Sequence, residues 1–132
     1  MKFKNFGSRQ VLIADDDDDS RTLLAIILAE EGWEIREARN GQEALEKVVN
    51  EPPDVLILDN RMPELTGAQV YRHLQAEGIN LAVVLATAYG NIEELASLLG
   101  ITYFINKPYD IPELLKTIES AYENSLPESF QV

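Results

Sequence analysis

The stretch that decides the fold is Val55-Leu-Ile-Leu-Asp59-Asn-Arg-Met-Pro63-Glu-Leu-Thr-Gly67. It opens with four consecutive apolar residues, and such a run is typical of a strand covered on both faces of a parallel sheet. Residues 11–14, 81–86 and 103–105 form similar runs, and residues 33–37 alternate as in a strand with one wetter face. The sequence therefore predicts five strands.

Helical patterns separate these runs. Apolar residues recur three and four positions apart, as on the buried face of a helix, over residues 20–31, 41–50, 66–77, 91–99 and 111–122. Strands that alternate with helices through right-handed crossovers give an α/β fold with helices on both faces of the sheet. We therefore expect a (βα)5 doubly wound parallel sheet with the flavodoxin-like strand order 2-1-3-4-5. The domain should cover residues 10–122, with short tails at 1–9 and 123–132.

Composition excludes several classes of function. Of the 132 residues, 23 are acidic and 11 are basic, which gives a formal net charge of −12. This charge argues against binding to nucleic acid, where basic side chains replace the phosphate counterions, and against docking on an anionic membrane. The chain has no cysteine, so it has neither a disulfide nor a thiolate metal site. Because no signal peptide or membrane span is visible, we expect a cytoplasmic protein.

Polar residues follow the predicted strands where the strands end. Five aspartates at 15–19 follow the first strand, while Asp59, Thr87 and Lys107 follow the third, fourth and fifth. The carboxyl ends of parallel strands meet at one edge of a sheet, so these side chains should gather there. Neighbouring carboxylates repel by about 4 kcal/mol per pair at intermediate dielectric, and an all-oxygen ligand set suits Mg²⁺ as their counter-ion. A carboxylate beside bound Mg²⁺ can accept a phosphoryl group, whose oxygens the metal and a lysine would neutralise.

Four motifs occur in a fixed order along the chain. They are Asp15-Asp16, Asp59-x-x-Met62-Pro63-x-x-x-Gly67, Thr87-Ala88 and Lys107-Pro108. Each motif alone means little, but the combination in a (βα)5 frame is highly specific. The chain thereby resembles the response-regulator receiver domains of two-component signalling, also called CheY-like domains, over about residues 10–122.

The resemblance implies a role for the acidic residues and the lysine. Asp59 would be the phosphoacceptor. Asp15 and Asp16 would bind Mg²⁺, with Asp16 the more direct ligand, together with Asp59 and the backbone carbonyl of Arg61. Lys107 would pair with the phosphoryl oxygens.

The resemblance also implies a switch and a set of partners. Thr87 would bond to the new phosphate, and Phe104 would turn inward when Thr87 moves. Pro108 would follow a cis peptide bond. A histidine kinase or phosphotransfer protein would donate the phosphoryl group, and a downstream protein target or a further relay step would receive the signal. We expect a stand-alone receiver that is not an enzyme. Its only reactions would be its own Mg²⁺-dependent phosphorylation and its autodephosphorylation.

The acidic residues allow other interpretations. An EF-hand starting at Asp15 would need Gly and Glu where the chain has Ser20 and Ile26, so that interpretation fails. A haloacid-dehalogenase-type phosphatase would need a second aspartate at position 61, which is Arg61. A solvated acidic loop and a receiver-like protein-binding module that does not use phosphate both stay open.

Three features of the sequence bear on function within this family. Thr87 and Lys107 are 20 positions apart, about two fewer than usual, so the fourth helix should be short or distorted. Leu98 lies off the apolar stripe of that helix, and we expect its face and that of the fifth helix to form a homodimer or partner contact. The bulky residues Arg61 and Tyr89 should flank the phosphoryl group and slow its hydrolysis.

Overall fold

The computed structural model describes residues 8–88 and 90–126, which form five strands and five helices in strict alternation. The strands are β1 (Arg9–Ala14), β2 (Trp33–Ala38), β3 (Val55–Asp59), β4 (Ala82–Thr87) and β5 (Tyr103–Asn106). The helices are α1 (Asp18–Glu30), α2 (Gly41–Asn50), α3 (Gly67–Ala76), α4 (Ile92–Leu99) and α5 (Ile111–Ser125). The predicted number and order of elements are confirmed.

All strand pairs are parallel, and the sheet order is β2-β1-β3-β4-β5, as the sequence predicts. The sheet separates two apolar cores because neighbouring strand residues point to opposite faces. In β1, for example, Val11 and Ile13 join the core under α1 and α5, whereas Leu12 and Ala14 join the core under α2, α3 and α4. Every residue of β3 is buried, as expected for the central strand.

Each helix begins at a side chain that satisfies a free backbone N–H group. The N-cap residues are Asp17, Asn40, Thr66, Asn91 and Asp110. Helix α4 has only eight residues and ends at Gly100, whose φ of 77° is a left-handed conformation that glycine adopts without a steric penalty. The fourth helix is therefore short, and Leu98 is 73% exposed on its surface, as predicted.

Both ends of the domain extend beyond the predicted boundaries. Strand β1 begins at Arg9, and α5 continues through Ser125. The Arg9 guanidinium stacks on the rings of Trp33 and Tyr122, at 4.2 and 5.5 Å from their centroids, and it pairs with Glu119. We call these four residues the amino-edge cluster. The rest of the expected tails, residues 1–7 and 127–132, lies outside the described residues. No helix in the described part is long and apolar enough to cross a membrane.

Candidate functional site

The polar residues buried in the described part of the chain converge on one edge of the sheet. They are Asp15, Arg21, Asp59 and Thr87. Asp15 directly follows β1, while Asp59 and Thr87 are the last residues of β3 and β4. Buried polar groups are costly unless they are bonded, so three of them at the carboxyl ends of parallel strands, with Arg21 beside them on α1, indicate a functional site.

Lys107 joins the ends of three strands. Its Nζ donates to Asp15 Oδ2 at 2.6 Å and to Asp59 Oδ2 at 3.1 Å. Its backbone N–H donates to the carbonyl of Thr87 at 3.1 Å, which places the lysine beside the end of β4. The Lys107–Pro108 peptide bond is cis, as predicted. The structure thus brings together Asp15, Asp59, Thr87 and Lys107, which lie far apart in the sequence.

Three carboxylates form a cluster that could hold a metal ion. Asp15, Asp16 and Asp59 each offer an oxygen atom, and these atoms lie within 4.8 Å of one another. Asp16 is exposed, so the cluster opens to solvent on one side. An open, all-oxygen set of this kind fits Mg²⁺, which keeps several water ligands and takes few carboxylates. Asp15, Asp16 and Asp59 are the residues that would hold it.

Burial and charge perturb the acidic groups in opposite directions. Burial raises the pKa of Asp59 to about 6; the neighbouring Asp15 charge acts in the same direction, and Lys107 opposes them. Burial also acts to raise the pKa of Asp15, but the hydrogen bonds from Lys107 and from the backbone of Asp17 outweigh it and lower that pKa. Burial tends to lower the pKa of Lys107, yet Asp15 and Asp59 raise it overall, so the lysine is charged at neutral pH.

The loop after Asp59 is held by two hydrogen bonds to Asn60 and passes too close to position 67 for a side chain there. The N–H of Gly67 donates to the Asn60 carbonyl at 3.1 Å, and the N–H of Ala68 donates to Asn60 Oδ1 at 3.0 Å. A Cβ atom at position 67 would lie 2.5 Å from the Asp59 carbonyl oxygen, so only glycine fits without a shift of backbone. Asn60 and Gly67 thus fix the turn that follows the central carboxylate.

An open cleft of about 830 Å³ leads to the cluster, and its walls include Asp16, Asp59, Arg61 and Lys107. This volume lies within the range typical of ligand sites, so a small phosphate donor or a partner's side chain has room to approach. The N–H of Arg61 donates to Asp59 Oδ1 at 3.1 Å. The role of the Arg61 carbonyl as a metal ligand stays a prediction.

The two residues expected to act as a switch lie on neighbouring strands. Thr87 is buried at the end of β4, and Phe104 is half-buried on β5, where it packs against the core under α4. Their switching roles stay predictions. Tyr89, expected to flank the phosphoryl group, lies outside the described residues.

Sequence reasoning missed two residues that support the site. Asn60 bonds to the first turn of α3, and Arg21 reaches the backbone of Asp15 from α1. Arg21 did carry a signal, because it is the only basic residue between positions 10 and 35. A cation within such an acidic segment has a reason to turn inward.

Comparisons with known proteins agree with this arrangement. The family model of the response regulator receiver domain matches residues 11–119. The chain is 33% identical over 115 residues to sporulation initiation phosphotransferase F of Bacillus subtilis, which covers 85% of the chain and 92% of that protein. It is similar in structure to the receiver domain of a Francisella response regulator, with a TM-score of 0.83, 28% identity, and coverage of 89% of this chain and 99% of that one.

Some relatives are much longer than the matched region. Regulatory protein AtoC of Escherichia coli is 33% identical over 116 residues, and the match covers 86% of this chain. The chain spans only 25% of AtoC. The similarity therefore concerns the domain described above and not the remainder of such proteins.

Proposed function

Since the chain belongs to the family of response-regulator receiver domains, we propose that Asp59 is its phosphoacceptor and that the reaction requires Mg²⁺. One observation carries the proposal. Asp59 is a buried carboxylate at the end of the central strand, bonded to Lys107 and within 4.8 Å of the carboxylate oxygens of Asp15 and Asp16. The site therefore combines a nucleophile, a cation and a set of oxygen ligands in a single cleft.

The reaction is a phosphoryl transfer to a carboxylate oxygen. An oxygen of Asp59 forms a bond to phosphorus while the bond between phosphorus and the donor atom breaks, and that atom leaves with the electron pair. The donor atom is a ring nitrogen in a phosphohistidine and a carboxylate oxygen in a small acyl phosphate. Lys107 lies close enough to Asp59 to form an ion pair with the phosphoryl oxygens once Asp59 is phosphorylated. When bound, Mg²⁺ supplies positive charge that offsets the carboxylates and the phosphoryl oxygens.

The new phosphate is the signal. It adds about −1.5 to −2 charges and three strong acceptors beside Thr87 and Lys107. We expect the Thr87 hydroxyl to bond to it and Phe104 to turn inward, which shifts the surface of α4, β5 and α5 between two populations. A histidine kinase or phosphotransfer protein is the proposed donor, and a protein target or a further relay step is the proposed output.

We expect the phosphoryl group to be lost slowly. Arg61 lines the cleft near Asp59, and a bulky side chain there hinders the approach of water. The decay of the phosphorylated mass after removal of the donor measures this rate. Arg61→Ala should speed the decay, whereas loss from the unaltered protein within seconds would contradict the expectation.

The direct test is the intact mass after incubation with acetyl phosphate and Mg²⁺. The protein should gain one phosphoryl group, and the gain should require Mg²⁺ and disappear in Asp59→Asn. Asp19→Asn is a matched control, because Asp19 lies exposed on the first turn of α1 and should leave the gain unchanged. No gain with the unaltered protein would favour instead a binding module that does not use phosphate.

A further inference from the structure

Arg21 is a buried cation behind the acidic cluster. Its side chain is 8% exposed, although it lies near the start of α1, shortly after four exposed aspartates, 16–19. Its Nη1 donates to the carbonyl of Asp15 at 2.8 Å, its Nε to Glu37 at 2.9 Å, and its Nη2 to Asp18 at 2.5 Å. One guanidinium thus joins the end of β1 to the start of α1 and to the end of β2.

The bond to the Asp15 carbonyl acts on the two proposed metal ligands together. The carbonyl of Asp15 and the N–H of Asp16 belong to one planar peptide unit. A hydrogen bond that fixes this carbonyl therefore fixes the orientation of the peptide plane. The backbone of Asp16 begins at this plane, so the direction of its side chain depends on it. The other end of Asp15 is also held, because its N–H donates to the Ala38 carbonyl at 3.1 Å. Ala38 follows Glu37, so both contacts anchor Asp15 to the same end of β2.

The side chain of Asp15 is fixed independently of this bond. Its Oδ1 accepts from the N–H of Asp17 at 2.9 Å, and its Oδ2 accepts from Lys107 at 2.6 Å. Asp16, by contrast, is exposed, and its orientation depends on the backbone that precedes it. Arg21 should therefore matter more for the position of Asp16 than for that of Asp15.

We propose that Arg21 is a positioning residue for the metal site and holds the Asp15–Asp16 peptide so that both carboxylates face one ion. The inference rests on the proposed function, since it concerns the Mg²⁺ that Asp59 requires. It does not make Arg21 a ligand or a partner of the phosphoryl group. The guanidinium acts from behind, through the backbone.

Charge and position predict opposite results when Arg21 is removed. Arg21 adds positive charge near the cluster, so its loss should tighten Mg²⁺ binding if charge is all that matters. If its position matters more, the loss should weaken binding, because the Asp15–Asp16 peptide becomes free to turn. Arg21→Lys keeps the charge but lacks the planar fork that reaches three partners, so it isolates the effect of position.

The test is a titration of the full chain with MgCl₂ at constant ionic strength, followed through its backbone amide NMR signals. Arg21→Lys and Arg21→Met should both raise the Kd for Mg²⁺ by about tenfold, the lower end of what the loss of an outer partner of a metal ligand causes. At saturating Mg²⁺, the rate of phosphorylation by acetyl phosphate should return most of the way to that of the unaltered protein.

Arg9→Lys is the matched control, because Arg9 also joins a carboxylate to a backbone carbonyl, that of Glu31, but at the opposite edge of the sheet. It should lower thermal stability and leave the Kd unchanged. An unchanged or lower Kd in Arg21→Lys would overturn the inference, and if Arg21→Met does not fold, Arg21→Lys decides alone. If the unaltered protein itself does not bind Mg²⁺, the proposed function fails and not only the role of Arg21.

Discussion

Each of the two edges of the sheet has a basic side chain paired with carboxylates, but the number of carboxylates differs. At the amino edge, Arg9 pairs with the single carboxylate of Glu119 and stacks on two aromatic rings. At the carboxyl edge, Lys107 is bonded to two buried carboxylates, and a third, Asp16, lies within reach of both. One edge is a satisfied ion pair, whereas the other gathers more negative charge than the lysine bonded to it can offset.

The difference separates a contact that stabilises the fold from one that suits the proposed reaction. An arginine on aromatic rings stabilises its surroundings and needs no further partner. Carboxylates gathered around one lysine destabilise one another and are relieved by an added cation. Burial raises the pKa of Asp59 to about 6, and the neighbouring Asp15 charge adds to this effect. The carboxyl edge is thus suited to bind a further cation, whereas the charges of the amino-edge cluster are already paired with each other.

The largest effect is expected from Lys107→Met. It leaves Asp15 and Asp59 buried without their shared cation, and breaking a buried pair in this way costs about 3 kcal/mol. Arg9→Met, at the partly exposed amino-edge cluster, should cost about 1 kcal/mol. Urea unfolding of both variants at pH 7 without Mg²⁺ measures the difference. Equal losses would contradict the proposed contrast between the edges.

Asp59→Asn should stabilise the metal-free protein. The folded pKa of about 6 lies above the ordinary 3.8, so the ionised carboxylate is disfavoured in the folded state. At 1.36 kcal/mol per pKa unit, this gives a gain of about 1 to 3 kcal/mol at pH 7. The gain should appear as the pH rises from 4 through 6 and vanish below pH 4, where the unaltered carboxyl is protonated in both states. Unfolding curves across this pH range measure it, with Asp19→Asn as the control; a loss of stability at pH 7 would be the opposite result.

Added Mg²⁺ should stabilise the protein through the carboxyl edge alone. At ten times the Kd, a ligand that binds only the folded state contributes about 1.4 kcal/mol. Asp16→Asn should reduce this increment, whereas Arg9→Lys should retain it in full. Thermal unfolding in MgCl₂ and in KCl of equal ionic strength distinguishes specific binding from screening. An equal effect of the two salts would contradict specific binding of Mg²⁺ at this edge.

The smallest effect on stability is expected at Leu98, which lies outside both edges. This side chain is 73% exposed on α4, so Leu98→Glu should change the free energy of unfolding by less than about 0.5 kcal/mol. If its face joins two copies of the chain, the same variant should weaken self-association. Light scattering over a range of protein concentrations tests this, and an unchanged apparent mass would exclude Leu98 from such a contact.

The fold and the main site residues could be predicted because their signals are local. Each buried strand appears as an apolar run, and Asp59, Thr87 and Lys107 directly follow or end such runs. Parallel pairing then requires these residues to meet, although Lys107 lies 92 positions from Asp15. The contact of Lys107 with both carboxylates confirms that expectation.

The features that could not be predicted depend on partners distant in the sequence. Arg9 belongs to β1 instead of a tail because Glu119, 110 positions away, and Trp33 receive its side chain. The acidic segment around Arg21 indicates that this cation will find a carboxylate, but it does not show which partners Arg21 reaches, since these include the β2 residue Glu37. The bond from Asn60 to α3 likewise exists only once the loop has closed onto the helix.

Locating the phosphoryl group tests most directly whether Asp59 is the phosphoacceptor. Borohydride reduces an aspartyl phosphate to homoserine, so treatment after incubation with acetyl phosphate marks the acceptor in the peptide sequence. If Asp59 is the acceptor, homoserine should form at position 59 alone and only when Mg²⁺ is present. Homoserine at position 15 or 16, or at 59 with equal yield in the absence of Mg²⁺, would contradict it.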